Sequence, residues 1–277
     1  MEPKDLLQLR DPLATLADAA ARVILEHYHG EIPLEAETKA DDTPVTAADL
    51  AAHDVLVTGL ASIGLPDDGS LPVLSEESSE QAFDQRLSWP RFWMIDPLDG
   101  TREFLARNDE FCVNIALIED GRARLGLVAI PCTGELFFGG PELGAWRRGS
   151  DGWDRVRARC GDDDEPLRVF TSRRHGGLRL EALLKTLQSR VCGLQRLYSG
   201  SAIKFCRLAE GAADLYPRFT PCSEWDTAAG HALLQGAGGD VLGLDAVPLV
   251  YNKPDSLRSP EFYALADPGR PLWAALY

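Results

Sequence analysis

WMIDPLDGTREF, residues Trp93–Phe104, is the stretch on which the reading of this chain turns. An apolar run of strand length, Arg91–Ile95, delivers Asp96 onto a turn made by Pro97, Asp99 and Gly100, so two carboxylates three residues apart face one point. Asp, Pro and Gly are also turn formers in their own right, and on this segment alone a plain β-turn and a carboxylate site stand equally open. Two further acids sit at element boundaries: Ser75-Glu76-Glu77 after the short apolar segment Leu71–Leu74, and Trp225-Asp226-Thr227 at the start of a predicted helix. If Glu76, Asp96, Asp99 and Asp226 converge, each like-charged pair about 4 Å apart costs roughly 4 kcal/mol at an effective dielectric near 20, so convergence calls for bound cations. An all-oxygen set without His or Cys suits a hard ion such as Mg²⁺. Asp226 has a second reading as the N-cap of the helix that follows, and Asp49 one as the acidic member of a Thr46-x-x-Asp49 capping box.

Outward from that stretch the patterns are mixed. Asp11-Pro12 signals a helix start, with Asp11 as N-cap, and Leu13, Leu16, Ala17, Ala20, Val23 and Ile24 recur at helical spacing up to Gly30. A second helix begins at Thr46 and aims Leu50, Val57, Leu60 and Ile63 at a core before Gly64 and Pro66 end it. Phe111–Trp146 switches to β-rich runs punctuated by Asp120-Gly121, Thr133-Gly134 and Gly139-Gly140-Pro141, the pattern of an antiparallel meander. Residues 1–150 therefore read as an α+β lobe carrying the paired carboxylates. Residues 151–166, with the run Asp162, Asp163, Asp164 and Glu165, read as an acidic, solvated linker or loop. Residues 167–277 read as an α/β lobe contributing Asp226, with a strand at Leu167–Phe170 and helices at Leu178–Leu187, Ile203–Ala209 and Thr227–Leu234.

Composition narrows the function. With 43 acidic against 28 basic residues the net charge is −15, a field that repels a nucleic-acid backbone, so no nucleic-acid polymer is expected as a partner. No stretch approaches the roughly 20 apolar residues of a membrane-spanning helix, and the first thirty residues lack a basic n-region and an apolar h-region, so neither an integral membrane segment nor export is expected. Six cysteines, none in a CxxC pair, read as reduced thiols in the cytoplasm.

Asp49, Glu76-Glu77, the DPLDGT run Asp96–Thr101, Trp225-Asp226 and Gly238-Gly239, in that order, resemble the shared pattern of the inositol monophosphatase superfamily of lithium-sensitive phosphomonoesterases. Within it, KADDTPVTAADLAAH (Lys39–His53), DPLDGTREFLARNDEF (Asp96–Phe111), GSAIKFC (Gly200–Cys206) and LYPRF (Leu215–Phe219) are similar to the 3'(2'),5'-bisphosphate nucleotidases of the CysQ type. Arg102 stands where many relatives carry Lys and keeps the positive charge. The resemblance implies an α/β (α+β) fold, a layered αβαβα sandwich, and hydrolysis of adenosine 3',5'-bisphosphate to AMP and phosphate, with the sulfated nucleotide PAPS as a further substrate. It implies a cytoplasmic enzyme using two to three Mg²⁺ ions and inhibited by Li⁺ and Ca²⁺; some relatives are reported at the inner face of the membrane.

By the same resemblance, Glu76, Asp96 and the Leu98 carbonyl would hold one cation, Asp96, Asp99 and Asp226 a second, and Glu76 a third, weaker one. Thr101 paired with Asp49 would polarise the attacking water, and Gly100 would let the phosphate approach the backbone. His175, Ser201, Lys204 and Arg218 are the candidates for recognising the rest of the nucleotide; Ser201 and Lys204, at i and i+3, can share a helical face. Trp225 reads as core packing. The competing readings are an inositol or fructose-bisphosphate phosphatase with the same cations, and a non-catalytic nucleotide sensor on the same scaffold.

Overall fold

The structure, a computed structural model, describes residues 1–30, 36–38, 44–65, 69–78, 80–161, 164–172 and 177–277. Five layers stack as helix, sheet, helix, sheet, helix. The first holds α1 (Pro3–Gln8), α2 (Arg10–Tyr28) and α3 (Ala47–Ser62), with a small hairpin of β1 (Ala36–Thr38) and β2 (Pro44–Thr46) between the last two. Next comes a seven-stranded sheet of β3 (Val73–Ser75), β4 (Arg91–Asp99), β5 (Cys112–Glu119), β6 (Arg122–Ile130), β7 (Glu135–Gly140), β8 (Gly144–Gly149) and β9 (Gly152–Val156), in that spatial order. Helix α4 (Glu80–Gln85) follows β3, and the single turn α5 (Thr101–Leu105) follows β4. From β4 onward the pairing is antiparallel, the meander expected from the turn residues, and β3 alone lies parallel to its neighbour.

The second sheet has five strands, β10 (Leu167–Thr171), β11 (Leu194–Tyr198), β12 (Leu215–Arg218), β14 (Asp240–Gly243) and β16 (Phe262–Leu265), ordered β11-β10-β12-β16-β14. A two-residue strand β13 (Cys222–Ser223) pairs with β15 (Arg258–Ser259) beside it. Helix α6 (Leu178–Gln188) covers its outer face, while α7 (Ile203–Ala209) and α8 (Ala228–Ala237) lie between the sheets.

Strand β4 is buried on both faces, which is why its sequence is an unbroken apolar run. Trp93 and Ile95 enter the cluster shared with α2 and α3; Phe92 and Met94 enter the one shared with α7 and α8. Helix α8 sits unusually close to the first sheet, because Gly126 of β6 has no side chain: a Cβ there would lie 2.1 Å from the Ala229 carbonyl oxygen. Gly126→Ala is therefore expected to cost about 3 kcal/mol by pushing helix backbone from sheet. Gly149→Ala, on the same sheet with open space around it, serves as the control and is expected to stay within about 1 kcal/mol of wild type in denaturant titrations.

Three expectations are corrected. Leu9, not Asp11, is the N-cap of α2, because α1 runs almost directly into it; Asp11 lies in the first turn and accepts the indole N–H of Trp153 at 3.1 Å. Leu50 is 51% exposed: the inward stripe of α3 is Ala48, Asp49, Ala52, Leu56 and Leu60, and Leu50 falls beside it. Gly152–Val156, placed inside an acidic linker by its composition, is the seventh strand; the turn at Gly149–Gly152 reverses the chain, and Trp153 packs on Phe138. Asp162 and Asp163 of the acidic run lie outside the described residues.

Candidate metal centre and adjoining pocket

In a regular strand, residues three apart point to opposite faces. At the end of β4 they do not, because the register slips: Asp96 opposes Asn114 and Asp99 opposes Cys112, so three steps along β4 match two along β5. This bulge turns Asp99 to the side of Asp96. Asp226, in the turn before α8, completes a group in which one oxygen from each of the three lies within 4.8 Å of the others. Glu76 arrives by the parallel pairing of β3 with β4, where Ser75 opposes Ile95 and the Glu76 N–H donates to the Ile95 carbonyl at 3.2 Å. All four acids, with Leu98 and Thr101, line one cleft of about 380 Å³.

Each aspartate is oriented by donors. Asp96 Oδ1 accepts the Leu98 N–H at 3.0 Å, and Asp226 Oδ2 accepts that of Ser223 at 2.9 Å. Asp99 Oδ2 accepts the Ala202 N–H at 2.6 Å and the Asn114 amide at 3.2 Å. The capping reading of Asp226 is not what the structure shows: Thr227 is the N-cap of α8, since Asp226 spends its oxygen on Ser223. Asn114 is not among the sequence candidates, although a buried amide between Val113 and Ile115 in an apolar strand is itself a signal.

Electrostatics set this group apart. Asp96 is held well above the ordinary carboxylate range, first by burial and then by Glu76, Asp99, Asp226 and Asp49. Asp226 is pushed up to about 7 by burial and by Asp99. Burial raises Asp99 also, against the pull of Lys204, the Ala202 N–H and Asn114. Oxygens that repel one another, buried at Asp96 and partly buried at Asp99 and Asp226, and that include no soft donor, are a set that could hold hard divalent cations.

Asp49 caps its helix and also contacts Thr101. It is 2% exposed at the start of α3, where Oδ2 accepts the Thr46 N–H at 2.8 Å and the Thr46 hydroxyl at 2.5 Å, the capping box. Oδ1 accepts the Thr101 hydroxyl at 3.2 Å, which is also 3.3 Å from the Leu98 carbonyl. Burial raises Asp49, and the Thr46 and Thr101 bonds oppose that rise. Gly100 is left-handed at φ 93°, and a Cβ there would lie 3.1 Å from the Glu110 carbonyl oxygen, so the turn between the acids and Thr101 needs glycine on both counts.

A second pocket opens from the first across Asp99, Asp226 and Arg218 and contains Ser201, Lys204 and Tyr216. Ser201 does not share a helical face with Lys204: it lies before α7 at φ 45°, and Lys204 Nζ instead folds back to the Ser201 carbonyl at 2.7 Å and the Ser199 carbonyl at 3.1 Å. Burial, and then Arg218, lower the Lys204 ammonium to about 8. Arg218 donates to the Tyr216 hydroxyl at 3.1 Å and to the carbonyls of Thr220 and Pro221. His175 lies outside the described residues. Trp225 is partly buried against the core, 6.3 Å from the ring of Phe83.

The sequence of residues 5–267 matches the model of the inositol monophosphatase family. The 3'(2'),5'-bisphosphate nucleotidase CysQ of Escherichia coli (strain K12) is 41% identical over 252 residues, 91% of this chain and 97% of that protein. The enzyme of the same name from Haemophilus influenzae is 29% identical over 94% of this chain and 93% of its own length. Among solved structures, CysQ from Bacteroides thetaiotaomicron, a bacterial member of the inositol monophosphatase family, superposes with a TM-score of 0.77 at 33% identity, covering 92% of this chain and 97% of that one. The Thermotoga maritima IMPase shares the fold at a TM-score of 0.73 and 21% identity, covering 97% and 96%.

Proposed function

The chain belongs to the inositol monophosphatase family, and from that premise we propose that it is a Mg²⁺-dependent phosphomonoesterase removing the 3'-phosphate of adenosine 3',5'-bisphosphate, and that of PAPS, to leave the 5'-substituted nucleotide and phosphate. The observation that carries the reading is the junction of two unlike pockets: a repelling set of acids at Asp96, Asp99 and Asp226 opens directly onto the buried ammonium of Lys204 and the partly buried guanidinium of Arg218. A substrate with two separated phosphates suits both ends, one phosphate over the acids through cations and the other against the basic side chains.

Phosphate monoesters hydrolyse so slowly in water that enzymes supply accelerations of up to about 10²¹-fold. Divalent cations bound by Glu76, Asp96 and the Leu98 carbonyl, by Asp96, Asp99 and Asp226, and more weakly at Glu76, would acidify a water and neutralise charge on the phosphate oxygens. The chain's own part is orientation. With Asp49 ionised, the Thr101 hydroxyl donates to it and turns its lone pairs outward, where they accept from a water and aim it in line with the scissile bond. Glu76, at the matching end of the neighbouring parallel strand, would flank that water. Gly100 lets the phosphate come close to the backbone. Ser201, Lys204 and Arg218, with His175 from the sequence, would fix the remainder of the nucleotide, and Lys204 and Arg218 would contribute the charge.

A substrate panel with Mg²⁺ tests this. Each charge-assisted contact to the second phosphate is worth about 1.5–3 kcal/mol, so kcat/KM for adenosine 3',5'-bisphosphate is expected to exceed that for inositol 1-phosphate by about a hundredfold or more. Activity is expected to fall in the presence of Li⁺ or Ca²⁺. Faster turnover of inositol phosphate would transfer the chain to the sugar and polyol phosphatases of the family, and no turnover of any phosphate monoester would leave the nucleotide-sensor reading.

A further inference from the structure

We infer that His53 is a positioning residue which, through Ser75, holds the Glu76–Glu77 turn in the geometry that cations require. The inference rests on the reading of the cleft as a cation-dependent centre and concerns a residue outside it. Ser75 ends β3 and is fully buried. Its hydroxyl oxygen accepts the Glu77 N–H at 3.2 Å and lies 2.8 Å from His53 Nδ1. The contact is a hydrogen bond in either imidazole tautomer, the hydroxyl donating to a bare Nδ1 or accepting from a protonated one.

The turn has its own closure. The Ser75 N–H donates to the Ser78 hydroxyl at 2.8 Å, the Ser78 N–H returns to the Ser75 carbonyl at 3.0 Å, and Glu76 is tied to β4. What His53 adds is a tie to α3, the helix that also carries Asp49. His53 lies four residues after Asp49, one turn further along the same helical face. Asp49 reaches Thr101, and His53 reaches the strand end that carries Glu76. A rigid helix rising about 1.5 Å per residue thus sets the spacing between the residue that orients the water and an acid that holds a cation. Groups one step behind a metal's ligands commonly govern its affinity by about 10–100-fold.

The test is Mg²⁺ binding to the full chain by isothermal titration calorimetry, together with the rise in melting temperature that Mg²⁺ produces. His53→Ala and Ser75→Ala are each expected to weaken Mg²⁺ binding by about tenfold. His53→Asn places an amide, which can donate or accept, near where Nδ1 stands and is expected to restore most of it. Leu56→Val, a core change on the same helix, is expected to lower the melting temperature and leave Mg²⁺ affinity as in wild type. Wild-type affinity in both alanine variants, or an equal loss in Leu56→Val, overturns the inference. A wild-type chain that takes up no Mg²⁺ would sink the cation reading beneath it, a result distinct from either.

Discussion

Asp96→Asn is expected to cut turnover by about a thousandfold and, in chelator-treated protein, to raise the melting temperature. Both effects come from one cause. Asp96 is 1% exposed and stands among Glu76, Asp99, Asp226 and Asp49, so its negative charge is a liability to the fold until cations arrive. Asparagine has the same shape and its oxygen still accepts the Leu98 N–H, so the loss is confined to charge. Relief of even about 2 kcal/mol of repulsion corresponds to roughly 5 °C in a chain of this size. Added Mg²⁺ should then stabilise wild type strongly and the variant little. An Asp96→Asn protein that melts no higher than wild type in chelator and keeps its turnover would remove the basis of the site.

The pH dependence of that stability has a definite sign. Asp226 titrates near 4 when unfolded and about 7 when folded, so the folded state holds the proton more tightly. Its contribution is fully present below pH 4 and is lost as pH rises through about 7. Asp96, Asp99 and Asp49 shift the same way. Glu135, lowered to about 2 despite its partial burial by Arg207, Thr133 and Arg147, acts oppositely, and its stabilisation fades only as pH falls well below 4. Chelator-treated wild type should therefore lose stability between about pH 4 and 7, less steeply in Asp96→Asn, and Mg²⁺ should flatten the slope by displacing protons.

How much of this was legible in the sequence depended on how local the cause was. The capping box at Thr46 and Asp49, the strand leading into Asp96 and the glycine at 100 are fixed by neighbours within a few residues, and they stand where the spacing puts them. The bulge that turns Asp99 toward Asp96 depends on how β4 pairs with β5, a partner that no single segment names. The same limit explains β9: Gly152–Val156 is too polar to read as a strand, and it becomes one because β8 offers an edge and Trp153 finds Phe138. The i, i+3 spacing of Ser201 and Lys204 suggests a shared helical face, but the Ser201 backbone is left-handed and α7 begins only at Ile203. The acids at Glu76 and Asp226 were legible as residues standing at boundaries; that they meet is a property of a parallel strand pair and of a helix laid between two sheets.

Lys204→Met carries the second large effect, on recognition rather than on chemistry. Its ammonium is buried, bonded to the Ser199 and Ser201 carbonyls and 4.9 Å above the ring of Tyr216, so it is held by dipoles and a π face beside Arg218. Such a cation has little solvent to replace and interacts strongly with an anion brought to it; charge-assisted bonds of about 1.5–3 kcal/mol correspond to roughly 10–100-fold in affinity. The KM for adenosine 3',5'-bisphosphate is expected to rise by that factor, while that for adenosine 3'-phosphate, which lacks the second phosphate, changes little. Because burial lowers the ammonium to about 8, wild-type KM for the bisphosphate should also climb as pH rises past 8, and Lys204→Met should abolish that climb. Lys204→Arg, which keeps the charge, should recover part of the affinity. If instead kcat falls equally for both substrates with KM unmoved, Lys204 acts through Asp99, which it draws down, and the second pocket recognises something other than phosphate.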